Sequence, residues 1–116
     1  MAPRVEPWED ELSEIGRLSA DIADRIIKRH GDRGVRAIEA VGEGRVKEYN
    51  DFIVVVGHED EYIVEGNTCT CKDTAYNLNP EDPTDRCWHR LAAAIATAID
   101  AVDRHELWYS DLRDLL

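Results

Sequence analysis

Three cysteines and one histidine share the segment "CTCKDTAYNLNPEDPTDRCWH", and no cysteine lies outside it. Cys69 and Cys71 form a CxC pair, fifteen residues intervene, and Cys87 and His89 form a CxH pair. An odd number of thiols cannot be used up in disulfides, which are in any case rare in cytosolic chains. Three thiols and an imidazole do match the four soft or borderline ligands of tetrahedral zinc. The spacing predicts one structural Zn2+ held by Cys69, Cys71, Cys87 and His89, with no position left open for water. Two other chemistries have weaker support. A Cys3His set can hold iron, but a lone site of this kind has no redox partner. Cys87 as a nucleophile with His89 as its base leaves Cys69 and Cys71 without a purpose, and no third group is apparent to orient the histidine.

Two pairs of ligands so far apart in sequence need elements that bring them together. "RVKEY", "DFIVVVG" and "EYIVEG" are short, rich in β-branched and aromatic residues, and separated by "ND" and "HED". They read as an antiparallel meander with Cys69 and Cys71 at its end. Ile53 to Val56 is apolar on both faces, which predicts a central strand covered by a helix. After the second ligand pair, Trp88, Leu91, Ala92, Ile95, Ala98, Ile99 and Val102 follow a helical spacing, with Thr84 or Asp85 as candidate cap. Cys87 and His89 then sit in the first turn, where exposed N–H groups favour thiolate. Upstream, Leu12, Ile15, Leu18, Ile22 and Ile26 predict one amphipathic helix from Pro7 to about His30. Val35, Ile38 and Val41 predict a second, stopping at "GEG". The tail "LWYSDLRDLL" places Trp108, Leu112, Leu115 and Leu116 on one side of a last short helix capped by Ser110. The fold class is α+β: a small antiparallel β-meander with a zinc knuckle, packed against a C-terminal helix and preceded by one or two N-terminal helices. Residues 1–45 form the N-terminal helical segment, 46–104 the zinc domain and 105–116 the tail helix, all in one compact domain.

The chain of 116 residues has 25 acidic side chains against 14 basic ones, a formal net charge of −11. Only Lys28, Lys47 and Lys72 are lysines. An Asp-rich, Lys-poor surface suits a protein dissolved in concentrated salt, so a halophilic host is expected. The charge opposes general affinity for nucleic acid or anionic membranes. One stretch reverses the balance: Arg25, Lys28, Arg29, Arg33, Arg36, Arg45 and Lys47 stand against Asp32, Glu39, Glu43 and Glu48. If phosphate is touched anywhere, it is expected there. No apolar run approaches the ~20 residues of a membrane span, and "MAPRVEPWEDELSEIG" has no apolar signal region, so a cytoplasmic location is expected. His58 reads as a turn residue, while His30 and His105 lie near helix ends. Trp88 fits the apolar stripe better than a nucleobase platform, and Asp73, Asp82 and Asp85 read as loop solvation. No carboxylate pattern combines with a phosphate loop or glycine fingerprint, so no enzyme and no small-molecule substrate are expected.

The order of these parts resembles the SWIM zinc finger. "YIVEGNTCTCKD" is similar to that family's strand entering CxC, and "CWHRLAAAIA" to its CxH leading into an Ala/Leu helix. The likeness covers about residues 46–100, "RAIEAVGEGRVKEY" is similar to the lead-in of stand-alone members, and the whole chain resembles small SWIM proteins of halophilic archaea. The spacer is longer than the family pattern leads one to expect. The resemblance implies a non-enzymatic interaction module with a protein partner. DNA binding through the Arg25–Lys47 stretch is the alternative it also carries.

Overall fold

The computed structural model describes residues 6–66, 68–79 and 81–114. Leu115 and Leu116, assigned above to the apolar side of the tail, lie outside the described residues. Helices α1 (Pro7–Ile15), α2 (Ala20–His30) and α3 (Asp32–Gly42) come first. Strands β1 (Val46–Glu48), β2 (Ile53–Val56), β3 (Glu61–Glu65) and β4 (Thr68–Cys69) follow, then α4 (Lys72–Tyr76) and α5 (Trp88–Ala98). The chain closes with β5 (Asp103–Arg104) and α6 (Tyr109–Asp114). The class is α+β, as the patterning predicts. Strand order is β4-β3-β2-β1-β5; consecutive neighbours from β1 to β4 are antiparallel, whereas β5 joins β1 in parallel and makes the sheet mixed.

The amphipathic stretch from Pro7 to His30 is two helices rather than one. Gly16 takes a left-handed conformation (φ 75°) and its N–H closes α1 onto Leu12. Ser19 then caps α2, its side chain accepting from the Ile22 N–H at 3.3 Å. Glycine reaches that conformation without the Cβ clash other residues incur, and a serine three residues on offers a fresh cap. The apolar spacing continues across the break, but Ile15, at its edge, is half exposed.

Helix α5 is the centre of the molecule. Its residues Leu91 to Ala96 are all buried, and it packs on α3, on α1 and on β1 to β4. The α3 face turned inward is built from Gly34, Ala37, Ala40 and Val41, whose small side chains let helices approach closely. Val46, Val55 and Val64 close this core from the sheet. Val54 points to the opposite face, where Tyr49 and Tyr109 bury it with Phe52, Ile63 and Leu112 alongside. Strand β2 is thus central and covered on both sides, as its sequence requires. The second cover depends on Asp51, which accepts from the Tyr109 N–H at 2.7 Å and the Ser110 N–H at 3.1 Å. This long-range carboxylate, rather than Ser110, satisfies the first turn of α6. No helix among the described residues is long and apolar enough to cross a membrane.

Candidate metal centre

Cys69 ends β4 and Cys71 follows it by two residues, so the hairpin edge delivers both thiols to one place. Cys71 is also the cap of α4: its Sγ accepts from the Thr74 N–H at 3.4 Å and lies 3.3 Å from the Thr74 hydroxyl. Cys87 caps α5 in the same manner, its Sγ accepting from the Arg90 N–H at 3.4 Å. The thiol therefore holds the cap position assigned above to Thr84 or Asp85. The Thr84 side chain is turned instead to Asp82, and the Asp85 carboxylate accepts from the Asn79 N–H. Two ligands that also serve as helix caps receive backbone N–H groups at sulfur, an arrangement that favours thiolate.

The ligand atoms of Cys69, Cys71, Cys87 and His89 all lie within 4.8 Å of one another, and none of these residues is exposed. No other partner among the described residues satisfies the histidine: both ring nitrogens are sealed from solvent without a hydrogen bond. A buried imidazole left in this way is costly, and a metal bond at one nitrogen removes the larger part of that cost. The thiols show the same need. The Cys69 proton bonded toward Cys87 holds the Cys87 thiol far below its ordinary value, and burial opposes this. The same bond and burial push Cys69 upward. Sulfurs this close cannot all ionise without a cation between them. The donor set fits one metal ion of the thiolate- and imidazole-seeking kind, and Cys3His is a common zinc set.

The ring of His89 is held by stacking. Its centroid is 4.0 Å from that of Tyr62 and 3.9 Å from that of Trp88, each tilted by 35°. The Arg45 guanidinium lies 5.8 Å above the indole. Trp88 thus packs between ligand and cation.

The loop between the ligand pairs has anchors of its own. The structure ties it to the N-terminal helices. Arg33 grips Asp73 with two hydrogen bonds, 2.8 Å and 2.9 Å, and lies 3.8 Å from Asp85. The Arg33 contact holds the Asp73 carboxyl below the ordinary carboxylate range. Arg29 donates to the Thr84 hydroxyl at 2.6 Å. Beneath these, buried Arg86 meets Glu6 at 2.6 Å and Glu9 at 2.7 Å, while His30 reaches Glu6 at 2.8 Å. Asp73 and Asp85 are clamp partners, not free solvating groups, and His30 belongs to a buried ion-pair network.

The arginine-biased stretch is accordingly engaged with carboxylates. Arg25 pairs with Glu11, Lys28 with Asp24, Arg36 with Asp32 and Arg45 with Glu43, alongside Arg29 near Glu6 and Arg33 on Asp73. Lys47, on β1, has no such pair among the described residues. Charge counting could not show the partners of Arg25, Arg29 and Arg33, which come from elsewhere in the chain, whereas Asp24, Asp32 and Glu43 lie within four residues of the cations they meet. Arg33→Gln should lower stability by only about 1 kcal/mol, since both partners are partly exposed, yet speed metal loss to a chelator. Unchanged loss rates would show that the clamp does not restrain the loop.

No family model matches the chain, and no solved structure matches it. Its sequence is 35% identical over 112 residues to an uncharacterized protein of Archaeoglobus fulgidus, a match spanning 95% of this chain and 96% of that one. The chain belongs to that protein's family. The likeness runs nearly end to end, so the helical N-terminal part and the cysteine segment belong to one shared architecture.

Proposed function

We propose that the chain is a SWIM-type module whose single Zn2+ is structural, and that it works by contacting a protein partner in the cytoplasm rather than by catalysis. The observation that carries the zinc reading is the convergence of four ligand atoms within 4.8 Å around an imidazole with no other partner. Four protein ligands complete a tetrahedron and leave no place for a reactive water, which supports a structural metal. The order of hairpin, CxC, loop, CxH and helix supports the SWIM reading. The net charge of −11 supports a host cytoplasm of high salt.

A protein partner is favoured over nucleic acid by the pairing of the arginine stretch. Six of its seven cations, Arg25, Lys28, Arg29, Arg33, Arg36 and Arg45, already face carboxylates. Three thiolates around a divalent ion add further negative charge. Titration of the zinc-loaded protein against labelled duplex and single-stranded DNA at low salt tests this. The expected result is binding no tighter than the ~10⁻⁴ M end of non-specific association. Micromolar binding that weakens when Arg36 and Lys47 are replaced by serine would favour the DNA reading instead.

A further inference from the structure

The turn from β5 into α6 leaves two large apolar side chains in water. Leu107 and Trp108 are adjacent in sequence, and each is more than half exposed. The other exposed large apolar side chains among the described residues, Ile15, Ile27 and Tyr76, sit one each on α1, α2 and α4. The tail pattern places Trp108 on one face with Leu112. Helix α6 begins instead at Tyr109 and turns Tyr109 and Leu112 onto the sheet, so Trp108 stays outside. Scattered apolar side chains on a surface are ordinary, but this pair stands on a fixed backbone. The Leu107 carbonyl accepts from the Asn50 N–H at 2.9 Å, and the Trp108 carbonyl from the Asp111 and Leu112 N–H groups at 3.1 Å each. Asp51 holds the Tyr109 N–H just beyond. The pair is thus ordered before any partner arrives, which lowers the entropic cost of binding.

The same turn borders an acidic cleft of about 530 Å³. Asn50 and Asp51, which hold the pair, line it with Glu48, Glu65 and Arg104. Arg104 is already engaged, 3.5 Å from Glu48 and 2.7 Å from Asp100. Glu65 is exposed and has no ion pair among the described residues, and the same holds for Glu106, the neighbour of Leu107. A second copy of this chain is a poor occupant, because a net charge of −11 sets acid against acid.

We propose that Leu107 and Trp108 are the anchor through which the chain contacts its protein partner, and that the partner offers an apolar pocket flanked by arginine or lysine, one of which enters the Glu48–Asp51–Glu65 cleft. This rests on the protein-partner reading and gives it a surface. Tryptophan is among the residues that dominate the energetic centres of interfaces. In concentrated salt exposed charges are screened, so the apolar pair carries most of the affinity and the cleft sets orientation.

The test uses the zinc-loaded full chain, tagged at its N-terminus, as bait in a nuclease-treated high-salt lysate of its host. A protein retained in stoichiometric amount is purified, and its affinity is measured for wild type, Trp108→Ser, Leu107→Ser, Glu65→Lys and Tyr76→Ser. The proposal expects Trp108→Ser to bind about 30-fold more weakly or worse, the loss typical of a central interface aromatic. Leu107→Ser and Glu65→Lys should also weaken binding, while Tyr76→Ser matches wild type. All four side chains are exposed, so each variant should melt with wild type. A Trp108→Ser protein that melts well below it would show the ring packed internally and overturn the proposal. Equal affinity of Trp108→Ser and wild type overturns the anchor but leaves the protein-partner reading standing. Unchanged affinity in Glu65→Lys overturns the basic-flanked partner. A wild type that retains no protein overturns the partner reading itself. A wild type that dimerises through Trp108 makes the occupant a second copy, which overturns the proposal as well.

Discussion

Serine in place of Cys87 should abolish tight metal binding and lower the melting temperature by tens of degrees. Cys87 is wholly buried, is a member of the ligand cluster and caps α5, the helix on which α1, α3 and four strands pack. Structural zinc contributes on the order of 10 kcal/mol in small domains, comparable with the entire ~5–15 kcal/mol stability of a typical domain. Serine keeps an oxygen able to accept the Arg90 N–H, so the effect isolates the metal ligand from the cap. Thermal melts of wild type and variant, with and without excess zinc, check this. A variant that melts with the wild type in zinc would show that the fold does not depend on the metal. Chelation of the wild type should reproduce the variant's behaviour.

The second large effect lies away from the ligands. Arg86→Met should cost about 3–5 kcal/mol, because it removes the buried guanidinium that both Glu6 and Glu9 face. Arg86, Glu6 and Glu9 are each less than a tenth exposed, and the guanidinium also lies 5.6 Å from the centre of the Trp8 ring. The loss should appear in denaturant melts at saturating zinc, with zinc stoichiometry unchanged since Arg86 is not a ligand. A cost below about 1 kcal/mol, the range of exposed pairs, would contradict a buried network. The pH dependence has a definite sign. Burial raises the Glu6 carboxyl, but hydrogen bonds from His30 and Arg86 outweigh it and leave the folded value below the usual 4.5. A depressed carboxyl stabilises the fold above its unfolded value and loses that contribution as pH falls through the folded one. The Glu6 share should therefore persist at pH 5 and above and fade only in stronger acid.

Much of the centre was legible in the sequence because its signals are local. CxC ends a strand pattern, CxH opens a helical one, and the two apolar faces of Ile53 to Val56 announce a covered strand. What escaped the sequence is long-range or lies beneath a continuing pattern. Gly16 and Ser19 break the first helix, but Leu12, Ile15, Leu18, Ile22 and Ile26 keep their spacing across the break. The parallel pairing of β5 with β1 spans two residues, too few for any propensity to register. Asp51 caps a helix 58 residues away, and Glu6 meets Arg86 across 80. The arginines read as a phosphate surface are mostly clamps and ion pairs, a difference that only their partners reveal. Arg29 and Arg33 fasten the loop that leads into Cys87 and His89, so the N-terminal helices take part in building the metal centre.

The most direct test of the central claim is metal analysis joined to zinc K-edge absorption on the protein purified without added chelator. One zinc per chain, with a first shell of three sulfurs near 2.3 Å and one nitrogen near 2.0 Å, is the expected result. A chain carrying no metal, or a shell lacking either the nitrogen or one sulfur, would contradict it.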